Sequence, residues 1–249
     1  MSDFDRGVVR PASADSADMS VDAGLRAFML GVYNKLGLGL VLSGLLAWAT
    51  SQPAVAQYLY VLTPHNHIAG FTLLGTLLRF APLLVILGGM FVMRNATPRT
   101  SAIYYWSIVS LIGAGLGVWL LTYTGTSVAQ VFFITAAAFG GLSLIGYTTK
   151  RDLSAMGSFL IMGLFGIIIA SVVNLFLHSS AIGFIVSVLG VLIFAGLIAY
   201  DTQRLKATYY RLGGDQAAMG VATNYGALSL YLDFINLFQF LMSIFGSRR

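Results

Sequence analysis

The sequence contains no cysteine and no glutamate, and charged residues make up only 9% of it. Without cysteine the chain has no disulfide, no thiolate nucleophile and no thiolate metal ligand. Without glutamate, every side-chain carboxylate belongs to one of nine aspartates. Soluble domains carry about 25% charged residues, so the low charge and the 57% share of hydrophobic residues predict an integral membrane protein.

The spacing of the basic residues and the absence of known catalytic motifs argue against two further classes of protein. The formal net charge is +5, but the basic residues stand singly or in pairs between apolar runs and form no stripe that would bind nucleic acid. The sequence has no Ser/His/Asp set, Walker loop or HExxH motif. It therefore predicts a protein without enzymatic activity and without a cofactor.

Apolar runs divide the chain into a polar tail and one membrane domain. Residues 1–24 are rich in aspartate and predict a disordered cytoplasmic tail. Residues 25–249 predict a single all-α domain of seven transmembrane helices, because about 20 apolar residues cross a bilayer. The predicted spans are residues 30–49, 72–93, 101–121, 128–148, 153–176, 181–200 and 222–245. Gly113 and Gly117 have GxxxG spacing, which indicates close helix packing in the third span.

Lysine and arginine are concentrated at one end of the predicted spans. Of 14 such residues, all but Arg79, Arg248 and Arg249 fall on one face of the membrane. They are Arg6, Arg10, Arg26, Lys35, Arg94, Arg99, Lys150, Arg151, Arg204, Lys206 and Arg211. Positive residues favour the cytoplasmic side, so we expect a cytoplasmic N-terminus and, with seven spans, an external C-terminus. A seventh helix that re-enters without crossing is the alternative.

Two aspartates lie in or beside predicted spans. Asp201 closes the sixth apolar run and Asp233 lies within the seventh. An ionisable residue inside a span is costly and indicates a functional site. If the two helices are antiparallel neighbours, the carboxyl groups can meet, share a proton and titrate as a pair. The alternative is that Asp201 is solvated at a helix end and Asp233 is a hydrogen-bonded packing residue.

Three stretches of the chain carry a family resemblance, which covers about residues 25–246. They are Gly146-Tyr-Thr-Thr-Lys-Arg-Asp-Leu-Ser154, Gly196-Leu-Ile-Ala-Tyr-Asp-Thr-Gln203 and Ala227-Leu-Ser-Leu-Tyr-Leu-Asp-Phe-Ile-Asn-Leu-Phe238. In these stretches the chain resembles the Bax inhibitor-1 family, also called the transmembrane Bax inhibitor motif family, in its bacterial YccA-like branch.

The resemblance implies a fold, a location and an activity. The fold is six helices around a central seventh in the bacterial inner membrane, and the activity is a pH-sensitive calcium leak. Asp201 and Asp233 match the two aspartates whose shared proton closes the pore, and they are the calcium ligands that the resemblance implies. Arg94 matches a basic position at the cytoplasmic end of the second helix that pairs with Asp201, although this chain has only Arg94-Asn95-Ala96 where relatives have several basic residues. Calcium is expected as the permeant ion.

Two other functions remain open from the sequence. The family has also been linked to regulation of membrane proteins, which implies binding to a membrane-anchored quality-control protease or to cell-death and stress machinery. An intramembrane aspartyl protease also places aspartates on its sixth and seventh helices. That class would carry Gly-x-Gly-Asp, where this chain has Leu230-Tyr-Leu-Asp233.

Overall fold

The computed structural model describes residues 12–63, 68–92 and 95–248. Within these ranges the chain is almost entirely helical, apart from one short hairpin. The elements are α1 (Ala12–Ser51), α2 (Pro53–Leu59), β1 (Tyr60–Leu62), β2 (Ile68–Phe71), α3 (Leu73–Val92), α4 (Pro98–Gly115), α5 (Gly117–Thr122), α6 (Gly125–Thr148), α7 (Ser154–Leu177), α8 (Ser180–Leu212) and α9 (Gln216–Phe245). Strands β1 and β2 pair in antiparallel fashion.

Six helical segments of the described chain are long and apolar enough to cross a membrane. They are Ala23–Ser51, Pro98–Thr122, Gly125–Thr148, Ser154–Leu177, Ser180–Leu212 and Gln216–Phe245. The predicted second span corresponds to α3, whose apolar part, Leu73–Gly89, is shorter. The predicted third span is α4 followed by α5, and Leu116 lies between the two helices.

Two helices extend well beyond their predicted limits. α1 begins at Ala12, so the structure is helical in the second half of the segment predicted as a disordered tail, while residues 1–11 lie outside the described residues. α8 runs on to Leu212 rather than ending near residue 200. The helix is followed by Gly213 and Gly214, which adopt φ angles of 57° and 89°. Residues other than glycine rarely adopt this left-handed backbone conformation, and it terminates the helix.

α9 is the most buried of the long helices. In its most apolar stretch 56% of the residues are buried, whereas the other five segments have 11–33%. It packs against α1, α4, α6 and α8. α9, which carries Asp233, is therefore surrounded by other helices, and one of them, α8, carries Asp201.

Polar contacts define the direction of the helices around α9. Lys35 of α1 donates a hydrogen bond to the side-chain oxygen of Asn224, and the hydroxyl groups of Ser43 and Tyr231 lie 2.7 Å apart. Residue numbers rise together along α1 and α9, so the two helices are parallel. α8 is antiparallel to α9, because Ser187 near its start contacts Ser243 near the end of α9 (3.2 Å between hydroxyl oxygens).

Candidate functional site

The antiparallel packing of α8 and α9 brings Asp201 and Asp233 together. Asp201 lies opposite Ser229, and Asp233 follows Ser229 by one helical turn on the same face of α9. Both aspartates are 6% exposed. The interpretation of Asp201 as a solvated residue at a helix end is therefore wrong, because α8 continues for three further turns beyond it.

The carboxylate of Asp201 has two partners. The hydroxyl of Ser229 donates a hydrogen bond to Oδ2. The guanidinium of Arg204, one turn along α8, lies 3.4 Å from Oδ1. The Arg204 side chain is 47% exposed, so the ion pair lies at the edge of the buried site and connects it to the surface.

The carboxyl group of Asp233 has fewer polar partners than that of Asp201. It lies close enough to Asp201 for a side-chain hydrogen bond and within electrostatic range of Arg204. Its Oδ2 is buried and has no hydrogen-bond partner among the described residues. An unpaired buried acceptor costs about 1–3 kcal/mol, and more when it is charged. The arrangement can therefore accommodate a proton between the two carboxyl groups.

The structure describes two of the three predicted site residues. It brings Asp201 and Asp233 together, a pairing that the sequence permits but does not require, whereas Arg94 lies outside the described residues, so its pairing with Asp201 stays a prediction. Arg204 and Ser229 were missed. A signal for Arg204 existed in its spacing three residues after Asp201, and a signal for Ser229 in its spacing four residues before Asp233, since both spacings place residues on one helix face.

The donors available to a metal ion are few. Among the described residues, no group of three or more histidine, cysteine, aspartate or glutamate side chains comes together. Calcium takes six to eight oxygen ligands. Asp201, Asp233 and the hydroxyl of Ser229 supply fewer than that.

The fold and the site together define a class: a membrane protein of many helices with a buried aspartate pair between its last two helices. Residues 25–249 match the family model described as inhibitor of apoptosis-promoting Bax1. The chain belongs to the Bax inhibitor-1 family.

Bacterial relatives match almost the whole chain. A protein of Caulobacter vibrioides is 63% identical over 250 residues, covering 100% of both chains. The protein RP147 of Rickettsia prowazekii is 44% identical and covers 94% of this chain and 95% of its own. The inner membrane protein YbhL of Escherichia coli K12 is 40% identical over 91% of this chain and 94% of its own.

Proposed function

We propose that the protein is a pH-sensitive leak pathway for calcium in the bacterial inner membrane, gated by Asp201 and Asp233. The observation that supports the proposal is the burial of two adjacent carboxyl groups of which one oxygen, Oδ2 of Asp233, has no partner among the described residues. Two neighbouring carboxylates in a medium of low dielectric constant cannot both ionise without a large cost. A proton shared between them removes that cost.

The shared proton would keep the gate closed. While it is shared, one carboxyl group donates to the other and holds α8 against α9. When it leaves at higher pH, two negative charges face each other in one buried site and repel. The carboxylates then separate and present oxygen ligands, which hard cations such as calcium prefer.

Arginine side chains would set the balance between the two states. Arg204 already pairs with Asp201 at 3.4 Å, which favours the carboxylate form. Arg94 would act in the same way from the end of the second span. The proposal also assigns α3 as that second span, which gives seven spans with a cytoplasmic N-terminus and an external C-terminus.

Calcium flux into liposomes tests the proposal. The purified protein is reconstituted in calcium-free liposomes that contain a calcium-sensitive dye, and calcium entry is followed as the pH is varied across neutrality. We expect the flux of the wild type to rise with pH. We expect Asp201→Asn and Asp233→Asn to abolish that pH dependence, because an amide cannot release the shared proton.

Asp215→Asn is the matched control. Asp215 caps the start of α9 by accepting hydrogen bonds from the backbone N–H groups of Ala217 and Ala218 (2.9 and 3.1 Å), and asparagine caps equally well. The control removes one carboxylate from the same helix and should keep the pH dependence. Asn variants that respond to pH as the wild type does would contradict the gate. Absence of flux above empty liposomes would contradict the channel and favour a regulator that binds other membrane proteins.

A further inference from the structure

A second polar site lies where α8 extends beyond the predicted span. A pocket of about 640 Å³ opens between the α6–α7 loop and the last turns of α8. Its charged lining residues are Lys150, Arg151, Asp152, Arg204 and Arg211. We call this site the basic pocket.

Gln203 holds the two walls of the basic pocket together. Its side-chain nitrogen donates to the backbone carbonyl of Arg151 (2.7 Å), and its side-chain oxygen accepts from the backbone N–H of Leu153 (2.8 Å). The loop that carries Lys150 and Arg151 is therefore fixed against α8. The four basic side chains are exposed and line this one pocket.

The positive charge in the basic pocket is largely uncompensated. Four basic side chains face one acidic one, a net charge of +3 (4 − 1). Asp152 is engaged at the start of α7, where hydrogen bonds from the hydroxyl and backbone N–H of Ser154 lower the pKa of the Asp152 carboxyl. Lys150, Arg151 and Arg211 form no ion pair with any described residue, and Arg204 pairs with Asp201.

The start of α7 adds to the attraction for an anion. The Asp152 carboxylate accepts the backbone N–H of Ser154 (2.8 Å), and Leu153, which precedes the helix, offers no side-chain cap to the N–H groups that follow. Free N–H groups and the helix dipole favour negative charge at such a terminus. Basic pockets between membrane helices at the cytoplasmic interface are a recurrent binding site for phosphate-bearing lipid headgroups.

We propose that the basic pocket binds a phosphate-bearing anion, either the headgroup of an anionic membrane lipid or a free phosphate, and that the anion competes with Asp201 for Arg204. The binding site stands by itself, whereas its effect on the gate rests on the proposed function. Arginine binds phosphate through parallel N–H donors, so the Arg204 guanidinium cannot serve both anions fully.

The charged groups around Asp201 determine whether a bound anion raises or lowers the pH at which the gate opens. Asp233 faces it from α9, and Arg204 lies beside it on α8. Lys206 points elsewhere, since its amino group donates to the backbone carbonyl of Tyr147 (3.3 Å). An anion that draws Arg204 away leaves the aspartate pair without its neighbouring cation. The pair then keeps its proton to higher pH, and the gate stays closed over a wider range.

Binding is tested first, without reference to flux. The full-length protein in neutral detergent is titrated with phosphatidylglycerol, with phosphatidylcholine and with inorganic phosphate, and occupancy is read by native mass spectrometry. Lys150→Gln and Arg211→Gln are compared with Arg99→Gln, which removes an exposed cation from the start of α4. Each substitution in the basic pocket should weaken binding of the anion about fivefold, and Arg99→Gln should leave it unchanged.

The outcomes separate the sources of the anion. Preference for phosphatidylglycerol that millimolar phosphate does not displace identifies a lipid, and displacement by phosphate identifies a soluble anion. Equal binding of phosphatidylglycerol and phosphatidylcholine, or equal losses in Arg99→Gln and Arg211→Gln, would overturn the site. All three substituted side chains are exposed, so folding should be unaffected, and size-exclusion chromatography checks this.

Flux then tests the coupling to the gate. The bound anion, added as phosphatidylglycerol in phosphatidylcholine liposomes or as phosphate, should move the pH midpoint of wild-type calcium flux upward. Lys150→Gln should respond less and should match the wild type when the anion is absent. An equal response in Lys150→Gln would overturn the competition for Arg204. Absence of flux in every liposome would remove the proposed function while leaving the binding result intact.

Discussion

Asp201 and Asp233 are equally buried, but their surroundings differ. Asp201 has a hydroxyl donor in Ser229 and a cation in Arg204, and both favour a charged carboxylate. Oδ2 of Asp233 has no partner among the described residues. In the proposed gate, Asp201 is therefore the better acceptor of a shared hydrogen bond and Asp233 the better holder of the proton.

Replacement of Arg204 tests this difference. Arg204→Gln removes the cation beside Asp201, so the pair should hold its proton more strongly and flux should begin at higher pH. Arg204 is 47% exposed, and exposed ion pairs contribute about 0.2–1 kcal/mol, so the midpoint should move by a few tenths of a pH unit. The measurement is the liposome flux assay as a function of pH, with Arg99→Gln as the control. A midpoint that moves to lower pH would contradict the role of Arg204.

At the scale of the helix, glycines set the distance between α1 and the third predicted span, which is α4 followed by α5. A Cβ atom at Gly113 would lie 2.6 Å from Cα of Ser43, and one at Gly117 would overlap Oγ1 of Thr50. The close packing predicted from the GxxxG spacing is thus confirmed, and α1 is the partner helix. The hydroxyl of Thr50 also donates to the backbone carbonyl of Ala114 (2.9 Å), which is possible only because the backbones lie so close.

Gly113→Ala should therefore destabilise the protein. The added methyl group meets the backbone of α1, which cannot move as a side chain can, and overpacking of this kind costs about 1–3 kcal/mol. Gly115→Ala is the matched control on the same helix, since a Cβ atom there meets nothing within 4 Å. Loss of helical circular dichroism on heating in detergent gives the comparison. Equal melting temperatures for the two variants would show that the contact between α1 and α4 yields without cost.

Helix α8 illustrates what the sequence could and could not predict. Hydropathy located its apolar part correctly but ended it near residue 200, because hydropathy reports where lipid contact ends and not where the hydrogen-bonded helix ends. The signal for the true end is the pair Gly213 and Gly214. The pairing of Asp201 with Ser229 depends on the register between α8 and α9, which side-chain packing sets and which no local pattern encodes.

In the molecule as a whole, α1, α4 and α9 run in the same direction. Asn224 of α9 connects the three helices, since it accepts from Lys35 in the middle of α1 and donates to the hydroxyl of Ser101 near the start of α4 (2.8 Å). Farther along, the hydroxyl of Tyr231 contacts Ser43 (2.7 Å) and lies 3.4 Å from the backbone carbonyl of Val109. The start of α1 and the end of α9 therefore lie at opposite ends of the bundle.

That arrangement predicts the topology of the last helix in the membrane. α9 has 30 residues, about 45 Å at 1.5 Å per residue, which exceeds a hydrocarbon core of about 30 Å. We expect α9 to cross completely, with its start in the cytoplasm beside the basic loops and its end outside. Because the chain has no cysteine, the single substitutions Gln216→Cys and Ser247→Cys give clean reporters for the two ends of α9.

Labelling of intact cells by a maleimide that cannot cross the inner membrane should modify Ser247→Cys and spare Gln216→Cys until the cells are lysed. The wild type supplies the background. The reverse pattern would place the basic end outside and contradict the charge distribution of the loops. Labelling of neither cysteine before lysis would mean that both ends of α9 lie in the cytoplasm, as the re-entrant alternative requires. The proposed gate would then open to one side of the membrane only.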